Sequence, residues 1–278
     1  MLLMRVITAL VLAPLFLAGI FFLPANGFAL FIGAFLLLAG WEWGGLCGFE
    51  RPGRVLLSAL LALAALGIWW FDAWLPAAAV GSAFWVLALV AVASYPAART
   101  QWQRPAVRTA AGVLMLLPAW SGLTLLQARD GGAWLVLWTM VAVWAADIGA
   151  YFAGRAFGRH KLAPSVSPGK TVEGMAGGVL AALLLSMAIA GAGGIDGTAA
   201  FALVMIVALL VICASVVGDL MESLVKRVAG VKDSGTLLPG HGGVLDRIDA
   251  VLAAAPVAAL LLTLLDVVPA GLLARWYS

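Results

Sequence analysis

Long runs of apolar residues recur along the whole chain and constrain its fold more than any other feature. An α-helix of about 20 apolar residues crosses the hydrocarbon core of a bilayer. Nine runs approach or exceed that length: Val6–Leu23, Gly27–Cys47, Val55–Phe71, Trp74–Ser94, Val107–Leu126, Gly132–Ala153, Gly174–Ala192, Thr198–Val217 and Ala250–Leu273. They predict an all-α, polytopic membrane protein with about nine transmembrane helices.

The composition excludes the other broad classes of protein. Of the 278 residues, 64% are hydrophobic and 10% are charged, whereas soluble domains carry about 25% charged residues. A soluble globular protein and a disordered chain are both excluded, because neither is this apolar. Membrane topology accounts for the net charge of +3, so no nucleic-acid partner is predicted.

The positions of the basic residues indicate which side of the membrane each loop occupies. With a cytoplasmic N-terminus and alternating helices, fourteen of the sixteen lysine and arginine residues fall on the inside. Only Arg129 and Arg275 then lie outside. Cytoplasmic loops of membrane proteins are enriched in lysine and arginine, so we predict that the N-terminus is cytoplasmic.

Two inside loops are longer and more polar than the others. These are the loops 154–173 and 219–249. Both belong to a predicted C-terminal catalytic region, residues 131–278, which follows the N-terminal transmembrane helices of residues 1–130. Long loops in a compact bundle are usually functional. Chemistry is therefore expected on the cytoplasmic face.

The loop 219–249 combines residue types that bind phosphate. Its cations suit phosphate oxygens: Lys226, Arg227, Lys232 and Arg247. The segment His241-Gly242-Gly243 has a backbone that can turn its N–H groups towards an anion. It leads into a predicted helix, whose N-terminus adds the positive end of a dipole.

Acidic residues in the same loop suggest a divalent metal. Asp246 and Asp249 are three residues apart at the predicted helix start, so their carboxylates lie on one face. Asp219 ends the preceding predicted span and is expected to approach them. Mg²⁺ prefers oxygen ligands and shares them with phosphates, so we predict one or two Mg²⁺ ions. The alternative is that these aspartates only balance nearby lysine and arginine.

The window 223–249 resembles the signature of the phosphatidate cytidylyltransferases, also called CDP-diacylglycerol synthases. Every fixed position of that signature is filled: Ser223, Val225, Lys226, Arg227, Lys232, Asp233, Gly235, Leu238, Pro239, His241, Gly242, Gly243, Val244, Asp246, Arg247, Ile248 and Asp249. The resemblance extends to the other long loop, where the family carries a segment similar to Ser167-Pro168-Gly169-Lys170-Thr171.

The resemblance implies a reaction and its setting. The family transfers a cytidylyl group from CTP to phosphatidate, giving CDP-diacylglycerol and pyrophosphate for phospholipid biosynthesis. The implied partners are CTP, phosphatidate and membrane lipids, at the cytoplasmic face of a bacterial inner membrane. The family also suggests a homodimer.

Roles for the site residues follow from the residue chemistry together with this resemblance. We expect a catalytic set of Asp219, Lys226, Arg227, Asp246 and Asp249, in which the three aspartates hold Mg²⁺. Substrate contacts are expected from Asp147, Ser167, Lys170, Thr171, Ser223, Lys232, His241, Gly242, Gly243 and Arg247, of which Arg247 is expected to hold the lipid phosphate. For residues 165–174, a plain basic loop is the alternative. Glu42, between two tryptophans, is predicted to be an interfacial anchor.

Two other functions fit parts of the sequence. A CTP-dependent kinase of a polyprenol or phytol is related chemistry, but it needs a positioned base. A transporter is the generic expectation for a chain with nine spans, and it predicts ionisable residues at the membrane midplane. Here the charges gather in two cytoplasmic loops, which counts against transport.

Overall fold

A computed structural model describes residues 2–192 and 197–265, without the side chains of residues 2–7 and 9. The elements are α1 (Leu2–Phe22), α2 (Ala25–Leu46), α3 (Arg51–Trp70), α4 (Trp74–Ser94), α5 (Arg99–Trp102), α6 (Pro105–Gln127), α7 (Gly132–Phe157), β1 (Lys161–Ala163), β2 (Ser167–Thr171), α8 (Val172–Ala192), α9 (Thr198–Ala229) and α10 (Leu245–Leu264). Arg275 and the end of the ninth predicted span, residues 266–273, lie outside the described residues, as does the side chain of Arg5.

The all-α, polytopic fold class is confirmed. Among the described residues, eight helices are long and apolar enough to cross a membrane, namely α2, α3, α4, α6, α7, α8, α9 and α10. The first predicted span corresponds to α1, in which the apolar segment Leu10–Phe22 is shorter. Prolines at the first turns of α3 and α6 suit helix starts, since proline lacks only an N–H that has no partner there.

Regular structure extends into both of the segments that were predicted as long loops. The helix α9 has 32 residues and is about 48 Å long, which exceeds a hydrocarbon core of about 30 Å. It continues until Gly230, whose φ of 73° provides a left-handed C-terminal cap. Only residues 230–244 of the predicted loop 219–249 are therefore irregular.

The other predicted loop, 154–173, contains an antiparallel hairpin. The strands β1 and β2 pair Lys161 with Thr171 and Ala163 with Ser167, and α8 begins directly after β2. The helices on either side, α7 and α8, pack closely through small residues. A Cβ on Gly177 of α8 would lie 2.1 Å from the Cβ of Ala153 in α7. The hairpin is thus held at the end of a tightly packed helix pair.

The helices α6 and α10 form the most buried part of the bundle. They approach closely because Gly122 of α6 faces the backbone of Ala255 in α10, where a Cβ would lie 2.8 Å from the carbonyl. Small residues allow such close approach between membrane helices. This packing places the start of α10 inside the bundle, beside the end of α9. We call the end of the bundle that carries the hairpin and residues 230–244 the loop end.

Candidate active site

The two polar segments predicted from the sequence meet at the loop end. Lys170 of β2 forms an ion pair with Asp219 of α9. Thr171 is buried, and its hydroxyl oxygen accepts a hydrogen bond from the Gly174 N–H (3.1 Å) at the start of α8. Ser167 is half-buried at the other end of β2. The hairpin therefore places Lys170 beside Asp219, and Thr171 caps α8, the helix that follows.

A lysine near the end of α9 joins two acidic side chains. The Lys226 Nζ atom lies 2.6 Å from Glu222 Oε2 and 2.7 Å from Asp246 Oδ1. The exposed fraction of the side chain is 13% for Lys226 and 0% for Glu222. The other oxygen, Glu222 Oε1, is buried without a hydrogen-bond partner among the described residues. One ammonium group therefore faces two carboxyl groups.

Both carboxylate oxygens of Asp246 are engaged. Asp246 Oδ1 accepts from Lys226 Nζ (2.7 Å). Asp246 Oδ2 accepts from the Ser234 N–H (2.9 Å), the Ser234 hydroxyl (2.9 Å) and the Gly243 N–H (2.8 Å). Asp246 thus fastens the loop 230–244 to the first turn of α10 and to α9.

Asp249 and Asp219 meet where α9 crosses α10. A Cβ on Gly218 would lie 2.5 Å from the carbonyl oxygen of Asp249, so the helices touch one residue away from Asp219. The two carboxylates are close enough for their charges to repel, and Asp219 acts in the same way on Asp147. Asp246 also points to α9, through Lys226. The prediction that Asp246 and Asp249 share one helix face is therefore confirmed.

The glycine-rich loop needs its glycines. Gly240 and Gly242 have φ values of 77° and 84°, in the left-handed region that favours glycine. The Leu238 N–H donates to the Gly242 carbonyl (2.9 Å), and the His241 N–H donates to the Leu238 carbonyl (2.9 Å). The resulting tight turn leads from His241 through the buried Gly243 into α10.

The remaining predicted residues of α9 and the following loop lie around this centre. The Ser223 hydroxyl donates to Asp219 Oδ1 over 3.4 Å. Arg227 Nε donates to the carbonyl oxygen of Val166 (3.1 Å), in the turn of the hairpin. Lys232 is exposed. Arg227 therefore also connects α9 to the hairpin, while Lys232 is accessible from solution.

A cavity of about 450 Å³ opens beside the Lys170–Asp219 pair. It is lined by α7, α8, α9 and the hairpin, and its polar side chains include Asp147, Tyr151 and Arg155. Arg155 Nη1 donates to the Tyr151 hydroxyl (3.2 Å). The volume is within the range of about 300–1,000 Å³ that is usual for ligand pockets. Lys170 and Asp147 thus share one polar cleft, which we call the polar cleft below.

The interpretation of Glu42 as an interfacial anchor is wrong. Glu42 of α2 is only 2% exposed. Its Oε1 accepts from the Val244 N–H (3.0 Å) and its Oε2 from the Leu245 N–H (2.9 Å). The first N–H groups of a helix lack partners within the helix, and a carboxylate there is favoured by the helix dipole. Glu42 therefore caps α10 from a different part of the chain.

Glu42 also reaches the centre of the site through Ser234. The Ser234 hydroxyl lies 3.3 Å from Glu42 Oε2 and 2.9 Å from Asp246 Oδ2. Neither Ser234 nor Glu222 belongs to the residues predicted for the site, although Glu222 stands four residues before Lys226, a spacing at which helical side chains pair. An acid inside an apolar run, such as Glu42, is by itself a signal of function.

The site has an excess of negative charge. Five carboxylates gather near two ammonium groups: Asp147, Asp219, Glu222, Asp246 and Asp249 around Lys170 and Lys226. Within residues 2–192 and 197–265, no three Asp, Glu, His or Cys side chains form a ready-made metal site. Mg²⁺ is commonly held by one or two carboxylates together with water and substrate phosphates. Asp219 and Asp249 fit that pattern, whereas four donors already hold Asp246.

The chain is similar to known sequences along almost its whole length. A profile described as "Cytidylyltransferase family" matches residues 3–265. The chain belongs to the cytidylyltransferase family. A Pseudomonas aeruginosa protein named phosphatidate cytidylyltransferase is 47% identical over 264 residues, which cover 94% of this chain and 97% of that protein. A Haemophilus influenzae protein of the same name is 37% identical, with 92% of this chain and 96% of that protein covered.

The match to the cytidylyltransferase family includes the N-terminal helices as well as the signature window. A Brucella suis protein, also named phosphatidate cytidylyltransferase, is 45% identical over 161 residues, which cover 56% of this chain. The family profile begins at residue 3 and so contains Glu42. The contact between α2 and the start of α10 therefore lies within the region that defines this family.

Proposed function

We propose that this protein transfers a cytidylyl group from CTP to phosphatidate, which yields CDP-diacylglycerol and pyrophosphate for phospholipid synthesis. The proposal rests on one structural observation, the meeting of the Lys170–Asp219 and Lys226–Asp246 ion pairs at the basic end of a membrane bundle. Two relatives that match more than nine-tenths of the chain carry the name of this reaction.

The location of the site suits these two substrates. Phosphatidate resides in the bilayer and CTP in the cytosol, so the reaction needs a site at the inner surface of a bacterial inner membrane. With the loop end in the cytoplasm and alternating helices, fourteen of the sixteen basic residues fall on the cytoplasmic side, as the positive-inside rule requires. Basic residues at that surface also attract anionic headgroups. The proposal includes a homodimer, which cross-linking in native membranes will test.

The chemistry requires alignment more than proton transfer. An oxygen of the phosphatidate phosphate attacks the α-phosphorus of CTP, and the bond to the β-phosphate bridging oxygen breaks to release pyrophosphate. A phosphate monoester has a second pKa of about 6 and is largely ionised at neutral pH. No base is therefore required, and the remaining barrier is the repulsion between two polyanions.

The residues of the site reduce that repulsion in different ways. Lys170, at the polar cleft, and Lys226 are positive charges held in place by carboxylates. Preorganised charges of this kind stabilise charge that develops on a leaving phosphate. Lys232 is exposed at the same end and can follow the triphosphate. The Gly242 N–H, next to the Gly243 N–H that Asp246 holds, provides a further donor for an anion.

Magnesium would be held by Asp219 and Asp249, where α9 crosses α10. When bound, it supplies positive charge that neutralises the triphosphate and the departing pyrophosphate. Asp246 would position the loop and Lys226 beside it. Glu222, with one buried oxygen that lacks a donor among the described residues, adds to the negative charge that attracts the cation.

The proposed reaction is tested by pyrophosphate release from CTP with purified protein. We expect release that depends on both phosphatidate and Mg²⁺. Release of CDP together with a phosphorylated polyprenol or phytol would instead select the kinase. Failure to turn over CTP with either lipid would contradict the proposal and return a transporter to consideration.

The Glu42 carboxylate is expected to stabilise the start of α10 and to position the site. Replacing Glu42 with alanine leaves the Val244 and Leu245 N–H groups without acceptors, which is expected to cost about 1–3 kcal/mol of stability per unsatisfied group. Because these N–H groups begin the helix that carries Asp246 and Asp249, kcat is expected to fall about 10²-fold. Glu42→Gln keeps one acceptor oxygen and should give intermediate values.

The matched control is Glu50→Ala, since Glu50 is exposed and makes no side-chain cap. Thermal unfolding in detergent and steady-state kinetics should leave this control close to the wild type. A Glu42→Ala protein with wild-type kcat would show that the cap on α10 has no part in positioning the site.

A further inference from the structure

A second cavity, of about 390 Å³, is lined in part by α10, which contributes no residue to the polar cleft. It lies between α1, α2, α6, α7 and α10, and it shares no lining residue with the polar cleft. Most of its wall is apolar and includes Phe16, Leu36, Leu116, Leu123 and Val251. We call it the apolar cavity.

The depth of the apolar cavity corresponds to one leaflet. On α1 its wall runs from Thr8 to Leu17, ten residues that span about 14 Å at the helical rise. The hydrocarbon core is about 30 Å thick, so the cavity reaches roughly to the midplane. The opposite wall runs parallel to this from Val244, the residue before α10, to Leu252 of α10.

Cationic and polar groups stand at the loop end of this cavity. Arg247 and His241 both line it. Within the described part of the chain, the Arg247 guanidinium has no hydrogen-bond or ion-pair partner, and His241 Nδ1 is buried without one. Two other polar groups of the wall are already engaged: the Thr8 hydroxyl donates to the Pro239 carbonyl (3.1 Å) and Trp120 Nε1 donates to the Ala29 carbonyl (2.9 Å).

The two faces of α10 have different surroundings. Asp246 contacts Lys226 of α9, and Asp249, Ala250 and Ala253 pack against Gly218 of α9. The residues between them, Arg247, Ile248, Val251 and Leu252, line the apolar cavity. Successive residues of a helix point about 100° apart. The helix therefore presents carboxylates to one side and a cation above apolar side chains to the other.

We propose that the apolar cavity holds one acyl chain of phosphatidate, with its phosphate at Arg247 and His241. An apolar cavity one leaflet deep, with unpartnered nitrogen groups at its mouth, is complementary to a single-chain tail below an anionic headgroup. This inference rests on the proposed function. It implies that the lipid binds between α1, α6 and α10, and CTP in the polar cleft formed by α7, α8, α9 and the hairpin.

The first test narrows the apolar cavity from α1. Ala13 lines the cavity, whereas Leu15 is 48% exposed and does not. Ala13→Trp is expected to lower kcat/KM for phosphatidate with two sixteen-carbon chains by about tenfold or more. The indole ring would occupy volume that the methylene groups of the acyl chain otherwise fill, so the buried area of the chain decreases. With two eight-carbon chains it should stay near the wild type, which also shows that the variant is folded. Leu15→Trp should leave both values unchanged.

The second test removes the cation at the mouth. Arg247→Gln is expected to raise the KM for phosphatidate about tenfold, because a charge-assisted contact to phosphate is lost. The KM for CTP should not change, since neither Arg247 nor any other residue of α10 lines the polar cleft. A rise of both KM values by the same factor would contradict separate binding sides.

A third measurement uses the unmodified protein, so it does not depend on how variants fold. Phosphatidate with a diazirine in one acyl chain should label residues 12–17, 116–123 or 247–252 on irradiation. Excess phosphatidate should suppress this labelling, and excess phosphatidylcholine should not. Equal suppression by both lipids, or labelling elsewhere, would overturn the inference.

The outcomes separate the two proposals. If the wild type releases no pyrophosphate with phosphatidate of any chain length, the proposed function is wrong. If the wild type is active but Ala13→Trp and Leu15→Trp have the same chain-length profile, the acyl-chain site is wrong while the proposed function stands.

Discussion

Replacing Asp219 with asparagine is expected to reduce phosphatidate-dependent pyrophosphate release by about 10²- to 10³-fold, the usual effect of removing a preorganised electrostatic group. Asp219 pairs with Lys170 of the hairpin and faces Asp249 across the helix crossing. Asparagine has a similar shape but no charge, so it keeps the packing and weakens the hold on both Lys170 and a divalent cation. Asp249→Asn should give a loss of the same order.

Mg²⁺ titration separates the two roles of Asp219. If the carboxylate helps to hold magnesium, Asp219→Asn should need a higher Mg²⁺ concentration for half-maximal activity, whereas Lys170→Met should mainly raise the KM for CTP. The matched control is Asp130→Asn, since Asp130 is an exposed aspartate in the connection between α6 and α7. Near-normal activity of Asp219→Asn, with unchanged Mg²⁺ dependence, would exclude the proposed metal role.

Replacing Lys226 with methionine is expected to destabilise the protein by about 3–5 kcal/mol, the usual cost of leaving a buried charge without its partner. Glu222 is fully buried, and Lys226 is the cation next to it. Asp246 loses the same partner, so the loop 230–244 also loses one of its attachments to α9. Activity should fall below detection, since this lysine is also proposed to face the substrate phosphates.

A double variant distinguishes these two contributions. Lys226→Met combined with Glu222→Leu removes both members of the buried pair, and such replacements are often neutral or stabilising. We expect thermal stability to return towards the wild type while activity does not. Lys161→Met, at an exposed lysine on β1, is the control for loss of a positive charge. Recovery of activity in the double variant would show that Lys226 acts only on stability.

Much of the site was predictable because its residues are close together in the sequence. Asp246 and Asp249 share a face by helical spacing alone, and their contacts with α9 confirm it. Gly242 needs a left-handed φ, which is what a glycine in such a loop predicts. Spacing within one segment was therefore enough to predict how the residues of 223–249 are arranged.

Other features were not predictable because they depend on contacts between distant segments. Apolar periodicity ends where the hydrocarbon ends, so it could not show that α9 continues to Ala229. The tryptophans beside Glu42 suggested a membrane interface, yet Trp43 is fully buried and donates to the carbonyl of Arg108 (2.8 Å). Neither neighbour reveals that Glu42 meets Val244.

The sequence by itself determined that the chain lies in a lipid bilayer, that its fold is helical and which residue types form the site. Each of these depends on composition or on spacing within one segment. Only the tertiary structure decided which charges become partners: Lys170 with Asp219, Lys226 with Glu222, and Glu42 with the start of α10. A buried charge or a bare helix end must find a partner. Helix packing selects that partner, and packing joins residues that are far apart in the chain.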